Sequence, residues 1–134
     1  MAYSQTKKIL FVCEHGSAKS MIAASYFNKL AKKNIPWDTV SRGIAPDSIV
    51  SFKTRQLLEK EYLFDPTLKP ELLTQEDVAE AEVAFLFYPL PANIHQSNNL
   101  NYWLEINAVN NDYQKLKDDI VAKIIPLIDS LSKQ

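Results

Sequence analysis

The run Ile9-Leu10-Phe11-Val12-Cys13, halted at once by Glu14-His15-Gly16-Ser17 and followed by a helical pattern from about Ser20, constrains this chain more than any other feature. Five apolar residues in a row, rich in strand formers, suit the central strand of a parallel sheet. Such a strand is buried on both faces and shows no polar alternation. Met21, Ala24, Tyr26-Phe27, Leu30 and Ala31 then recur near helical spacing, and Lys32-Lys33 put positive charge where a helix C-terminus favours it. Asn34 and Pro36 end the pattern. Strand, tight loop and helix in that order open a βαβ unit.

Later segments fit the same plan. Thr39 to Arg42 reads as a short second strand ending at Gly43, and a helix is expected from about Ser51 to Tyr62, with Phe52, Leu57, Leu58 and Tyr62 turned inward. Phe64 to Leu73, interrupted by Pro66 and Pro70, reads as loop. Thr74 followed by Asp77 matches a helix cap, with a short helix to Glu82. Val83 to Phe87 is a second buried parallel strand, stopped by Pro89 and Pro91. Ala92 to Asn111 is polar and asparagine-rich, with Tyr102-Trp103-Leu104 as a last short strand. Tyr113, Leu116, Ile120, Ile124, Leu127 and Leu131 share one face of a terminal helix that Pro126 is expected to kink or split. The expected fold class is α/β: a single domain over residues 1–134, a three-layer sandwich whose four-stranded parallel sheet is flanked by helices. Ligands of such sheets gather at the carboxyl ends of strands, where Cys13 falls.

Composition closes off several alternatives. At 134 residues and 46% hydrophobic, the chain can bury one core but not comfortably two. A formal net charge of -1 gives no global field to draw nucleic acid or an anionic membrane, so neither is an expected partner and anion recognition must be local. One cysteine permits no intrachain disulfide. Two histidines and that cysteine form no metal-ligand spacing, and no Walker-type or dinucleotide-binding glycine pattern occurs, so no metal or cofactor is expected. Met1 to Lys8 lack the features of a signal peptide, and no apolar run approaches the ~20 residues that span a bilayer. The expected location is cytoplasmic.

The loop from Cys13 to Ser20 carries the chemistry. Small residues between a buried strand and a helix can turn their backbone N–H groups toward one centre, and the helix start adds positive partial charge there. An oxyanion is the natural guest of Glu14, His15, Gly16, Ser17, Ala18 and Lys19. The same field favours the thiolate of Cys13, Lys19 contributes a full positive charge, and Ser20 can donate a hydrogen bond to the sulfur. A thiolate beside a bound tetrahedral oxyanion is set for in-line attack. Gly16, one of only two glycines, suggests a backbone conformation that other residues resist. A lone cysteine at the end of an apolar strand is otherwise a small buried hydrophobe. His15 reads either as an anion contact or as an exposed loop residue, and His95 as surface.

The stretch from Ile9 to Ala24, read as Ile-Leu-Phe-Val-Cys-Glu-His-Gly-Ser-Ala-Lys-Ser-Met-Ile-Ala-Ala, resembles the low-molecular-weight protein tyrosine phosphatases and the arsenate reductases that share their fold. It is most similar to the single-cysteine arsenate-reductase branch. Their signature is a cysteine, five residues, an arginine and a serine. Cys13 matches the nucleophile and Ser20 the serine, with Lys19 standing where the arginine is usual. Ser41-Arg42-Gly43-Ile44, Lys69 to Thr74 with Glu76-Asp77, and Trp103 before the last helix extend the resemblance over most of the chain.

Three departures accompany it. Lys19 offers a flexible point charge where an arginine fork would give two parallel hydrogen bonds. Gly16 stands in for an asparagine. The aspartate that serves as general acid falls by spacing at Asn107, followed by Ala108. An amide cannot supply that proton, a role worth about 10²–10⁴-fold in rate. Glu105 and Asp112 are the nearby substitutes. The resemblance therefore implies a phosphoric monoester hydrolase or an arsenate reductase, with catalytic Cys13, Lys19 and Ser20. Its partners would be phosphate, sulfate or an arsenate-like oxyanion, a phosphotyrosine protein, or an external thiol or redoxin. The alternative is a catalytically impaired oxyanion-binding or regulatory domain of the same fold, which the residues at Lys19 and Asn107 favour.

Overall fold

A seven-residue strand, β1 (Lys7–Cys13), runs parallel to a neighbour on each side: β2 (Trp37–Gly43) and β3 (Val83–Leu86). A short β4 (Leu100–Tyr102) adds parallel to β3, so the sheet order is β2-β1-β3-β4. These elements come from a computed structural model that describes residues 7–31, 37–106 and 112–133. Flanked in the sheet and covered on both faces, Ile9 to Val12 are no more than 1% exposed, which is why their sequence shows no alternation.

Alternate residues of β1 separate the core into two halves. Ile9, Phe11 and Cys13 face Ile22 and Phe27 of α1 (Lys19–Ala31), Leu57 and Leu58 of α2 (Phe52–Lys60), and Leu116, Ile120 and Ile124 of α4 (Tyr113–Ser132). Leu10 and Val12 face the other way, with Ala84, Leu86, Leu73, Ile94 and Val78 of α3 (Gln75–Glu80). Helices, sheet and a thinner helical layer make the three-layer α/β architecture. Cys13 belongs to the α1 side because it continues the odd-numbered set.

Phe11 centres the larger half, with ring centroids 5.9 Å from Phe85, 6.1 Å from Phe27 and 6.5 Å from Trp103. Trp103 packs on Phe85 at 4.4 Å, so its bulk is spent in the core. Contacts of this kind add about 0.5–1.5 kcal/mol beyond area burial.

Helix ends follow local chemistry. Thr74 and Asp77 form a reciprocal capping box at α3, and Ser51 caps α2 by accepting from the Thr54 amide. The expected inward positions Phe52 and Tyr62 are instead 71% and 96% exposed. Helix α2 is only nine residues long, and Tyr62 lies beyond it at φ 57°. The amides of Tyr62 and Leu63 donate back to the carbonyls of Glu59 and Leu58, a Schellman closure with tyrosine at the position glycine usually takes.

Two further expectations shift. Pro126 does not split α4, which continues from Tyr113 to Ser132. Both Pro126 and Ala122 are exposed, so the carbonyl that loses its partner can turn to water. The last strand is Leu100–Tyr102 rather than 102–104, and its polarity hid it. Asn99 and Asn101 side chains donate to the carbonyls of Ala81 and Ala84, tying an edge strand down through amides instead of apolar contacts. Among the described residues no helix is long and apolar enough to cross a membrane.

From β1 the chain crosses to β2 on one side of the sheet, and from β3 to β4 on the other. The carboxyl ends of β1 and β3 therefore flank a topological switch point, the crevice where open α/β sheets bind ligands.

Candidate active site

At that crevice the chain leaves β1 through Glu14 to Ala18 and enters α1 at Lys19. The carbonyls of Cys13, Glu14, His15 and Ser17 accept from the amides of Ile44, Ala45, Asp47 and Ser51 at 2.7–3.2 Å. A trans peptide holds its C=O and N–H on opposite sides. With those four carbonyls committed to the 44–51 segment, the N–H groups of Glu14, His15, Gly16 and Ala18 must point away from it. Among the described residues no acceptor takes the amide hydrogens of Glu14 to Ala18. The first N–H groups of α1, which have no intrahelical acceptor, add to the set.

Close backbone apposition makes this arrangement possible. Gly16 sits at φ +64°, a left-handed conformation that costs other residues energy. A Cβ placed on Gly43, at the end of β2, would lie 2.7 Å from the Gly16 nitrogen and 2.8 Å from the His15 carbonyl carbon. The chain's two glycines thus press the loop against β2.

Cys13 Sγ lies 3.1 Å from Ser20 Oγ, and Ser41 Oγ donates to Ser20 Oγ at 2.9 Å. Once Ser20 accepts from Ser41, its own hydrogen is free to point at the sulfur. The thiol is 5% exposed and forms part of a cleft of about 300 Å³. Glu14, His15, Ser17, Ala18, Lys19, Asp47 and Ser51 line that cleft, with Phe87, Tyr88 and Tyr113 completing its walls. Burial pulls the Lys19 ammonium below its ordinary pKa of 10.5, opposed by the attraction of Cys13 and then Glu14.

His15 is exposed; its Nδ1 donates to the Ala45 carbonyl at 3.1 Å. Ser17 is buried, and its hydroxyl donates to Asp47 Oδ2 at 2.7 Å. Arg42 turns away from the cleft to Asp77 at 3.0 Å and Glu71 at 3.3 Å.

Two of the three expected acid-loop residues, Glu105 and Asp112, lie elsewhere. Glu105 pairs with Lys123, whose hydrogen bond holds its carboxyl below the usual range, and it lines a separate depression beside α4. Asp112 caps α4, accepting from the Lys115 amide at 2.9 Å, and lines a depression shared with Lys53 and Gln56. Neither lines the cleft of Cys13. Asn107 falls outside the described residues. Asp65 accepts from the amide and hydroxyl of Thr67, which makes Asp65-Pro66 a structural turn. His95 is a surface residue held through its backbone to Gln75. Among the described residues no group of three or more His, Cys, Asp or Glu side chains could hold a metal ion.

Sequence reasoning did not pick out Asp47, Ser51, Phe87, Tyr88 and Tyr113 as cleft residues. Parallel strand order was the available signal for two of them, since Phe87 and Tyr88 follow β3 directly and β3 neighbours β1.

No protein-family model matches the sequence, and no curated protein matches it. Solved structures do. YfkJ from Bacillus subtilis aligns over 98% of this chain and 98% of its own at 16% identity, with a TM-score of 0.85. A low-molecular-weight protein tyrosine phosphatase from T. tengcongensis aligns over 93% of this chain and 99% of its own at 21% identity and TM-score 0.76. The thioredoxin-dependent arsenate reductase of Corynebacterium glutamicum aligns at 20% identity and TM-score 0.76; it covers 97% of this chain, which spans 64% of that protein's length. The fold is that of the low-molecular-weight phosphatases and arsenate reductases.

Proposed function

We propose that this chain is a cysteine-dependent phosphomonoesterase in which Cys13 is the nucleophile. The observation that carries the reading is the commitment of four loop carbonyls to the 44–51 segment, which leaves the loop amides free beside the thiol. A phosphoryl group in the cleft would be held by the amides of Glu14 to Ala18 and by the Lys19 ammonium. These donors stabilise negative charge as it builds on the equatorial oxygens. The Cys13 thiolate attacks phosphorus, the S–P bond forms, and the P–O bond to the leaving group breaks with its electron pair. Water then attacks the phosphocysteine, releasing inorganic phosphate and returning the thiolate, which accepts a hydrogen bond from Ser20. Neither Glu105 nor Asp112 faces this site, so esters with weakly basic leaving groups, aryl phosphates above all, are the fitting substrates.

One other reading has an observation behind it. The neighbour from C. glutamicum is a thioredoxin-dependent arsenate reductase on the same fold. In that version Cys13 displaces a hydroxide from arsenate, which leaves as water. An external thiolate then attacks Cys13 Sγ, arsenite departs with the electron pair, and a mixed disulfide remains. A second external thiol restores Cys13. As the chain holds one cysteine, both reducing thiols must come from outside.

Hydrolysis of 4-nitrophenyl phosphate by the wild type and by Cys13→Ser, with acid-quenched protein analysed for phosphocysteine, tests the primary reading. The expected result is turnover that vanishes in the variant and a phosphoryl adduct on Cys13. Equal turnover by both proteins refutes it. Phosphate binding without turnover, together with arsenate reduction when thiols and redoxin are supplied, selects the second reading. Binding without either reaction selects the impaired oxyanion-binding domain.

A further inference from the structure

The cleft walls carry the wrong sign for a plain anion site. Its floor offers amides and one ammonium, yet Glu14 and Asp47 also line it, with side chains about half exposed at 47% and 49%. Asp47 is anchored by the Ser17 hydroxyl at 2.7 Å. The His15 ring lies between the pair, with Nε2 3.6 Å from Glu14 Oε1 and Nδ1, which donates to the Ala45 carbonyl, 3.8 Å from Asp47 Oδ1. Among the described lining residues Lys19 is the one permanent cation, so two carboxylates outnumber it before any ligand arrives. A phosphate dianion on a neutral ring would add to that excess.

Tyr88 and Tyr113 line the same cleft, and aromatic side chains stack on rings and attract cations. A volume of about 300 Å³ is at the lower limit for a ligand pocket and encloses a ring-sized group. We infer that the cleft selects aryl phosphates whose ring bears a cationic substituent, with Glu14 and Asp47 holding the cation while the loop holds the phosphate. This deepens the phosphomonoesterase reading and rests on it.

Binding to Cys13→Ser protein, measured calorimetrically at low salt, tests the inference without turnover. The probes are 4-(trimethylammoniomethyl)phenyl phosphate, its uncharged isostere 4-neopentylphenyl phosphate, and inorganic phosphate. The cationic ester is expected to bind about five- to thirtyfold more tightly than the isostere. That ratio should shrink as salt is raised, because both carboxylates are exposed to screening. It should fall toward one when Glu14→Gln and Asp47→Asn are combined; asparagine keeps an acceptor for Ser17, and Glu14→Gln alone should lower the ratio part of the way. Equal affinities, or a preference for the isostere, overturn the inference while phosphate binding leaves the oxyanion site standing. A ratio untouched by either variant also overturns it. Failure of inorganic phosphate to bind overturns the phosphomonoesterase reading as well.

Discussion

Replacing Gly43 with alanine should damage the candidate site although Gly43 itself meets no substrate. The added Cβ would fall 2.7 Å from the Gly16 nitrogen, 2.8 Å from the His15 carbonyl carbon and 3.0 Å from the Gly16 Cα. All three are backbone atoms, so no flexible side chain can yield, and either β2 or the loop must move by several tenths of an ångström. Overpacking of this kind costs about 1–3 kcal/mol. An unfolding entropy of about 2.1 cal/mol/K per residue over 134 residues turns that into a Tm lower by about 4–11 °C. Displacement at Gly16 also disturbs the amides on either side of it. Phosphate affinity, read as the concentration dependence of thermal protection, should therefore fall by about tenfold or more, the loss expected from one or two weakened charge-assisted hydrogen bonds. Wild-type Tm with undiminished phosphate protection would refute the reasoning, because the loop would then not be pinned by contact with β2.

Other outcomes follow from single residues. Lys19→Arg should keep phosphate binding and raise aryl phosphate turnover, since a guanidinium fork aligns two oxygens that an ammonium holds loosely; steady-state kcat for both proteins decides it. Burial lowers the Lys19 pKa, so the folded chain releases this proton before the unfolded one does. Lys19 should thus make stability rise as pH climbs from its lowered value toward 10.5, relative to Lys19→Met, while phosphate affinity falls over the same interval; chemical denaturation and phosphate titration at pH 8 to 10.5 check both signs. Pro126→Ala restores an amide donor inside α4 at an exposed position and should raise stability by about 1–3 kcal/mol, measured by urea unfolding.

Elements set by burial were open to sequence reasoning, and those set by local polar chemistry were not. Ile9 to Cys13 and Val83 to Leu86 lie under helices on both faces, so their apolar runs announce them. Thr74 with Asp77 announces α3 because a capping box is a local pattern. Tyr62 reads as an inward residue by helical spacing, yet it occupies a left-handed Schellman position that no periodicity shows. The edge strand β4 is held by Asn99 and Asn101 side chains and carries no apolar signature. The site divides in the same way. Cys13, Lys19 and Ser20 adjoin a strand–loop–helix junction visible in the chain itself, whereas Asp47, Tyr88 and Tyr113 reach the cleft only through the order of strands and the packing of α4. Glu105 and Asp112 are close to the expected acid position in sequence, but an ion pair with Lys123 and a helix cap take up their carboxylates.

Free main-chain amides and one ammonium must gather an oxyanion around the Cys13 sulfur if this cleft is to act on phosphate esters. The rate of Cys13 alkylation by iodoacetamide, measured against rising phosphate, sulfate or arsenate, tests this directly. Saturable protection, with half-effect at the concentration that half-saturates thermal stabilisation, is predicted. A rate indifferent to all three anions would contradict the account.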